Sequence, residues 1–470
     1  MGRTTRADAK RSRERILTAA GPLFRENPRA TMAEVAAAAG LGRSTLHRHF
    51  ATRVDLVRAL EEPGARDGDA ATGRAPADLL PPGRLGRAAP LPIEALHVLD
   101  EIPPHLVAEQ LVAEARRIAG VPVALYVIDI DGSGLLRLAG EEGDLPDRLE
   151  VSLGLGQDIA PDSLEDLYAH LEAELPGCLP APLWLRGRAT GILLAVGTPS
   201  SPLTEIARQG AAAIELANRY TDSFEAVRRA RATSPAAEMQ LNLVPCARIM
   251  RVGGGELAGG ILASPAVGGD WFDFAENRDG TWLAIADALG EGPVAAGRAA
   301  VSLGALRSAR RRGLGLAASA GVIQQTVHEL GDAFTVSAVL ARWQAPTSTF
   351  SWVACGHPPP MLVRADGEVE PLADPPDESP ALGEGGADRE FRPRRRRLRS
   401  GERVILCSDG VLGRGDGRGG AFGEAGVRRA IAAARGTSAA ATARSIQHAA
   451  AGAADGPIED DTVVVVLAVE

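Results

Sequence analysis

Apolar residues recur at helical spacing from Ile16 to Phe24, break at Pro28 and resume after Thr31, which together with Glu34 has the pattern of a capped helix start. Gly40-Leu41-Gly42 predicts a tight turn, and Arg43, Ser44, Thr45, His47 and Arg48 then open a third helix with polar side chains suited to phosphates and base edges. The spacing predicts an amphipathic helix again from Ile93 to about Ile118. Two strand pairs follow: VPVALYVIDIDGSGLLRLAG, turning at Asp131-Gly132, and PLWLRGRATGILLAVG, turning at Arg186-Gly187. A long helix beginning near Leu203 carries Ile206, Gly210, Ala213, Ala217, Tyr220, Phe224 and Val227 at steps of three and four. That stripe faces either a second copy of the chain, giving a homodimer, or its own sheet. Beyond Ala237, strand-like apolar runs alternate with glycine-flanked aspartates.

Composition adds boundaries to this pattern. At roughly 100–200 residues per domain, 470 residues imply about three domains. Residues 63–92, rich in Pro, Gly, Ala and charge, read as a flexible linker that separates 1–62 from 93–230 and 231–470. The net charge of −9 is uneven: residues 1–60 hold twelve Lys or Arg against five Asp or Glu, which is +7 and leaves −16 for the remainder. Only the basic end suits nucleic acid. Four cysteines without a CxxC pair give no disulfide framework or thiolate zinc site. The longest apolar run, Val463 to Val469, is too short to span a bilayer, so a soluble protein in a reducing cytoplasm is expected, with no membrane partner.

The aspartates carry the candidate chemistry. Asp270 in VGGDWFDF, Asp287 in LAIADALGEG, Asp409 in VILCSDGV, and Asp460 and Asp461 in EDDTVVVVL each adjoin a strand-like run, so they can converge from neighbouring strand ends. Clustered carboxylates repel unless a cation neutralises them, and a hard all-oxygen set favours Mg²⁺ or Mn²⁺ over zinc. In WFDF, alternation puts Asp270 and Phe272 on one face and Trp271 and Asp273 on the other. Asp273 is therefore expected to support the site from behind, as is Asp461. His357 in CGHPPPML is expected to make a structural hydrogen bond, and the Arg389–Arg399 run to form a solvated strand face.

Three resemblances follow from these residues. Thr31, Val35, Ala39-Gly40, Thr45-Leu46 and His49-Phe50 resemble the DNA-binding end of TetR-type repressors over about 60 residues, which implies duplex DNA as a partner through Arg43, Ser44, Thr45, His47 and Arg48. Residues 93–230 resemble a GAF-type sensory domain, which implies a small-molecule ligand. The ordered motifs MQLNLVP, VGGDWFDF, LAIADALGEG, CGHPPPML, SDGV, FGEAGV and EDDT resemble those of metal-dependent (PPM) serine/threonine phosphatases of the stage II sporulation E type.

The last resemblance implies two packed β-sheets flanked by helices, and two Mn²⁺ or Mg²⁺ ions. Asp287 would bridge the ions with help from the Ala288 carbonyl, Asp409 and Asp460 would hold one ion, and Asp270 would act on the other. Ala286 stands where that family usually has Gly, and Gly413 where Glu is common. The expected whole is multidomain: an all-α helix-turn-helix, an α+β GAF-like domain and an α+β phosphatase. It would act on a phosphorylated regulatory protein, by resemblance an anti-sigma-factor antagonist. The alternative is a DNA-binding regulator with a sensory or inactive phosphatase-like region.

Overall fold

A computed structural model describes residues 15–23, 32–41, 46, 102–140, 145–151, 154–229, 233–331, 334–372, 379–415, 417, 420–434, 436–456 and 458–470. The chain divides into two compact units, Met1–Ala89 and Pro90–Glu470. In the first, α1 (residues 15–23) and α2 (Met32–Ala38) close a small core of Ile16, Ala20, Val35, Ala36, Ala39 and Leu46. Gly40, at φ +63°, ends α2, and Arg15 Nη2 donates to the freed Ala39 carbonyl at 2.8 Å. The candidate DNA-reading residues Arg43, Ser44, Thr45, His47 and Arg48 and the linker 63–92 lie outside the described residues.

The second unit begins with a seven-stranded antiparallel sheet: β1 (Val123–Ile128), β2 (Gly134–Ala139), β3 (Arg148–Glu150), β4 (Gly154–Leu155), β5 (Asp158–Ile159), β6 (Cys178–Leu185) and β7 (Arg188–Val196). Both expected hairpins form. Arg186 and Gly187 take φ +49° and +87°, the two left-handed residues that a tight two-residue hairpin needs. α3 (Val107–Ala119) and α5 (Thr204–Ala217) cover one face, and α4 (Leu164–Glu174) packs on the other.

Two helical expectations change here. The helix expected from Ile93 starts, within the described residues, only at Val107, because Pro103 is extended and Pro104 leads a single 3₁₀ turn. The long helix from Leu203 breaks after Ala217 and restarts as α6 (Ser223–Arg228). Its stripe is spent inside the chain: Ile206, Gly210, Ala213 and Ala217 are buried on this domain's own core, where a Cβ at Gly210 would meet Leu111 at 2.5 Å. The spacing thus marks packing on the domain's own core, while Tyr220 is exposed.

After α7 (Pro235–Leu243) come β8 (Ile249–Val252), β9 (Gly255–Leu262), β10 (Asp270–Asn277), β11 (Gly280–Ala288), α8 (Gly292–Arg311), α9 (Leu316–Glu329), β12 (Val336–Gln344) and β13 (Thr349–Cys355). The chain ends with β14 (Met361–Val363), β15 (Val369–Pro371), β16 (Arg394–Arg397), β17 (Arg403–Cys407), α10 (Asp409–Leu412), α11 (Gly423–Ala433), α12 (Ala439–Ala451) and β18 (Thr462–Val469). They form a five-stranded sheet, β10-β11-β12-β13-β16, and a six-stranded sheet, β15-β14-β17-β18-β9-β8.

Strand alternation builds the sandwich. Phe272, Phe274, Leu283 and Ile285 meet Val463, Val465 and Leu467 between the sheets. Trp271, Trp282 and Ala284 turn outward under α8 and α9, while Val464 and Val466 turn outward under α11 and α12. Two packed sheets flanked by helices are thus present, as expected.

The two sheet systems of this unit are joined by a buried knot. Asp158 of β5 takes Arg188 Nε at 2.8 Å on one oxygen, and the backbone N–H groups of Arg248 (2.6 Å) and Ile249 (3.2 Å) on the other. Leu155 and Ala160 enter the core beneath α12, and Asp162 accepts from Ser438 Oγ at 2.5 Å.

Candidate active site

The acidic residues collect at one end of the sandwich because the strands stop there. Asp270 opens β10 and stands directly opposite Asp287 of β11, both on the face toward the second sheet. The loop before Asp270 is pressed against its neighbours. A Cβ on Gly269 would lie 1.8 Å from the Ala288 carbonyl oxygen, and one on Gly268 would lie 2.8 Å from Asp461 Oδ2, so only glycine fits at either position. Val267 just before them holds φ +57°, a strained conformation for a β-branched residue that is kept where the surroundings dictate it.

The second sheet supplies the rest. Asp409 starts α10 directly after β17, and Asp460 and Asp461 precede β18. Ser408 fastens these two strand ends: its hydroxyl donates to the Asp461 carbonyl at 3.1 Å and accepts from Val463 N–H at 2.9 Å. Gly410 passes so close that a Cβ would sit 2.1 Å from the Asp461 carbonyl oxygen.

The charges at this end are not neutralised. Asp270 is 2 % exposed, and its Oδ2 has no hydrogen-bond partner. Burial first, then the carboxylates of Asp287, Asp461, Asp409 and Asp460, push its pKa well above the usual range. Burial and the charges of Asp409, Asp460 and Asp461 push Asp287 up to about 7. Asp460 is raised by burial despite the Asp461 N–H that its Oδ1 accepts at 2.8 Å. Among the described residues, no three His, Cys, Asp or Glu side chains are drawn together tightly enough to grip an ion as they lie. An orphaned buried carboxylate oxygen amid mutually repelling carboxylates is nevertheless what a hard divalent cation would satisfy, so the donor set fits Mg²⁺ or Mn²⁺.

The other predicted residues separate by their partners. Asp461 is fully buried and takes the backbone N–H groups of Ser264 (2.7 Å) and Gly268 (3.0 Å) and the amide of Gln240, which locks the loop that delivers Asp270. Asp273 lies on the opposite face of β10 from Asp270 and pairs with Arg307 and Arg310 of α8, each at 2.8 Å. His357 sets Nδ1 3.0 Å from the Pro358 carbonyl, and burial lowers its pKa to about 4. The Arg394–Arg397 strand lies at the edge of the five-stranded sheet with its last three side chains exposed.

Sequence reading missed Gln240. This buried residue of α7 reaches across to donate to the Asp270 carbonyl at 3.1 Å and to Asp461. The signal was a polar side chain in MQLNLVP at a position that the helix buries.

Comparison with known proteins places these features. Residues 277–470 match the family described as Stage II sporulation protein E (SpoIIE), and residues 16–60 match the bacterial regulatory proteins of the tetR family. Among curated relatives, the HTH-type transcriptional repressor LfrR of Mycolicibacterium smegmatis is 49% identical over 51 residues, 11% of this chain and 27% of that protein. The chain thus spans about a quarter of the length of the curated relatives it matches. Among solved structures, the SiaA-PP2C domain of Pseudomonas aeruginosa is 21% identical, over 45% of this chain and 86% of that one, with a TM-score of 0.39. The phosphatase domain and regulatory fragment of SpoIIE from Bacillus subtilis are 13% identical, over 65% and 74% of the two chains, with a TM-score of 0.38.

Proposed function

We propose that the C-terminal domain, which over residues 277–470 matches the Stage II sporulation protein E family, is a metal-dependent phosphatase acting on phosphoserine or phosphothreonine of a regulatory protein. The observation that carries this reading is the set of unneutralised strand-end carboxylates around the orphaned Asp270 oxygen. Domain limits of 231–470 for the phosphatase, 93–230 for a GAF-like controlling domain and 1–62 for the helix-turn-helix go with it, in a cytoplasmic protein. No helix among the described residues is long and apolar enough to cross a membrane. An anti-sigma-factor antagonist is the substrate class that the family resemblance suggests.

Asp287, Asp409 and Asp460, with Asp270 and the Ala288 carbonyl beside them, would hold two Mn²⁺ or Mg²⁺ ions. Such ions, when bound, acidify a water to hydroxide near neutral pH and clamp phosphoryl oxygens for in-line attack. The chain's own contribution is positional. Asp461 fixes the Ser264 and Gly268 amides, Gln240 ties that loop to α7, and Ser408 holds Asp409 beside Asp460. His357 is neutral at pH 7, which suits a hydrogen-bonding role over that of a charged acid.

The test is hydrolysis of a phosphoserine peptide by the full chain with and without Mn²⁺. Asp287→Asn and Asp409→Asn should each lose more than the roughly 10–100-fold that altering a supporting residue costs. Undiminished hydrolysis in EDTA would remove the reading.

A second function is favoured by the tetR-family match over 16–60. The basic end binds duplex DNA, with Arg43, Ser44, Thr45, His47 and Arg48 at the groove and the neighbouring arginines on phosphates. Mobility shifts at two salt concentrations check it: Arg43→Ala and Arg48→Ala should weaken a sequence-specific shift, and no shift even at low salt would dismiss it.

A further inference from the structure

A cavity of about 120 Å³ opens where the middle sheet, α6, α7 and the start of β8 meet, with Asp129, Arg148, Arg228, Ala237, Leu241 and Arg248 in its wall. Its wall holds three arginines, Arg148, Arg228 and Arg248, against two aspartates, Asp129 and Asp131. Arg248 is 3 % exposed; its guanidinium lies 5.5 Å over the Phe272 ring, and its Nη1 is buried without a hydrogen-bond partner. Arg228 is nearly as buried. It gives Nη1 to Gln157 and Glu225 and Nη2 to the Thr190 carbonyl, while its Nε is left without an acceptor.

The nearby carboxylates are already engaged. Asp129 accepts Ser133 N–H and Ser133 Oγ, each at 2.7 Å, and pairs with Arg148 at 3.4 Å. Glu225 takes Arg228, Arg229 and Asn218, and Asp158 takes Arg188 and two backbone amides. Asp131, also in the wall, is engaged as well and is exposed to solvent, which screens it.

We propose that this cavity binds a small oxyanion, a carboxylate or phosphate group on a ligand of about half a dozen non-hydrogen atoms, held by Arg248 and Arg228. A buried guanidinium whose neighbouring acids, Asp158 and Glu225, are already held by other donors is costly, and an oxyanion supplies a charge not so committed. The size follows from the volume, since a cavity of roughly 150 Å³ takes benzene. Burial lowers Arg248 only to about 10, so it stays charged at neutral pH.

The site also has a route to the acidic end. α7 lines the cavity with Ala237 and Leu241 and, between them, carries Gln240 to Asp270 and Asp461. An occupant that fixes α7 therefore changes the metal site, provided it favours one placement of that helix. This consequence rests on the phosphatase reading, whereas the binding does not.

The experiment is calorimetric titration of the full chain in EDTA with inorganic phosphate and, separately, with propionate; the arm with the tighter binding identifies the headgroup. We expect saturable binding that Arg248→Gln weakens at least tenfold, Arg248→Lys weakens less, and Asp409→Asn leaves within twofold. Arg148→Gln, at a more exposed position, serves as the variant least able to disturb folding and should weaken binding severalfold. No saturable binding of either anion, or equal affinity in the Arg248→Gln, Arg248→Lys and Arg148→Gln proteins, overturns the site. Propionate is then titrated in Mn²⁺ and added to the Mn²⁺-dependent assay, where the rate should change with the same midpoint as the binding measured in Mn²⁺. Binding without a rate change overturns the coupling alone, and absence of any hydrolysis bears on the phosphatase reading and leaves the anion site standing.

Discussion

Two regions of the second unit bury carboxylates, and they do so in opposite ways. At the junction of the sheets, each oxygen of Asp158 is satisfied, one by Arg188 and the other by two backbone N–H groups. At the end of the sandwich, Asp270 is as deeply buried, yet one oxygen has no partner and four other carboxylates face it. Burial alone therefore does not mark function. A buried acid whose partners all come from the chain is a structural joint, and one with an unpartnered oxygen among other carboxylates has the donor set of a cation site.

That contrast can be broken experimentally. The largest effect is expected at the joint: Arg188→Met leaves Asp158 charged and unpaired, and should cost about 3–5 kcal/mol in denaturant unfolding. Adding Asp158→Leu should recover only part of it, because the Arg248 and Ile249 N–H groups then lose their acceptor. Removing a charge at the sandwich end should act the other way, with Asp287→Asn raising the stability of the metal-free protein by about 1–3 kcal/mol, because the wild-type group is half-buried among like charges.

pH separates the regions further. Asp287 titrates at about 7 when folded, against roughly 3.9 in an unfolded chain. The folded state holds that proton more tightly, so its stabilising effect is complete below about pH 4 and is lost as pH rises through 7. Metal-free protein should therefore melt lower at pH 8 than at pH 5, and saturating Mn²⁺ should reverse the order. Melting curves at the two pH values in EDTA and in Mn²⁺ check this. The smallest effect on hydrolysis is expected behind the strand: Asp273→Asn, facing Arg307 and Arg310, should change the rate by less than roughly tenfold while costing about 1–3 kcal/mol of stability.

What the sequence revealed of this arrangement was local. Alternation in WFDF was enough to separate the face of Asp270 from that of Asp273, and glycines beside aspartates marked the strand ends. The tight turns at Asp131-Gly132 and Arg186-Gly187 were equally legible. What needed the fold was contact between distant segments. Gln240 matters because it meets Asp461, 221 residues away, and the free guanidinium of Arg248 is visible only once Asp158 is seen to be taken by Arg188. Periodicity misled where it ignored the backbone, running one helix through Pro103-Pro104 and another past Asn218.

The central claim is that the strand-end carboxylates bind divalent cations, and calorimetric titration of the metal-free chain with Mn²⁺ tests it most directly. Saturable binding of two ions is expected, tighter at pH 8 than at pH 6 because Asp270 and Asp287 must give up protons, and sharply weakened in Asp287→Asn. Absence of saturable binding at pH 8, or binding that Asp287→Asn leaves unchanged, would contradict it.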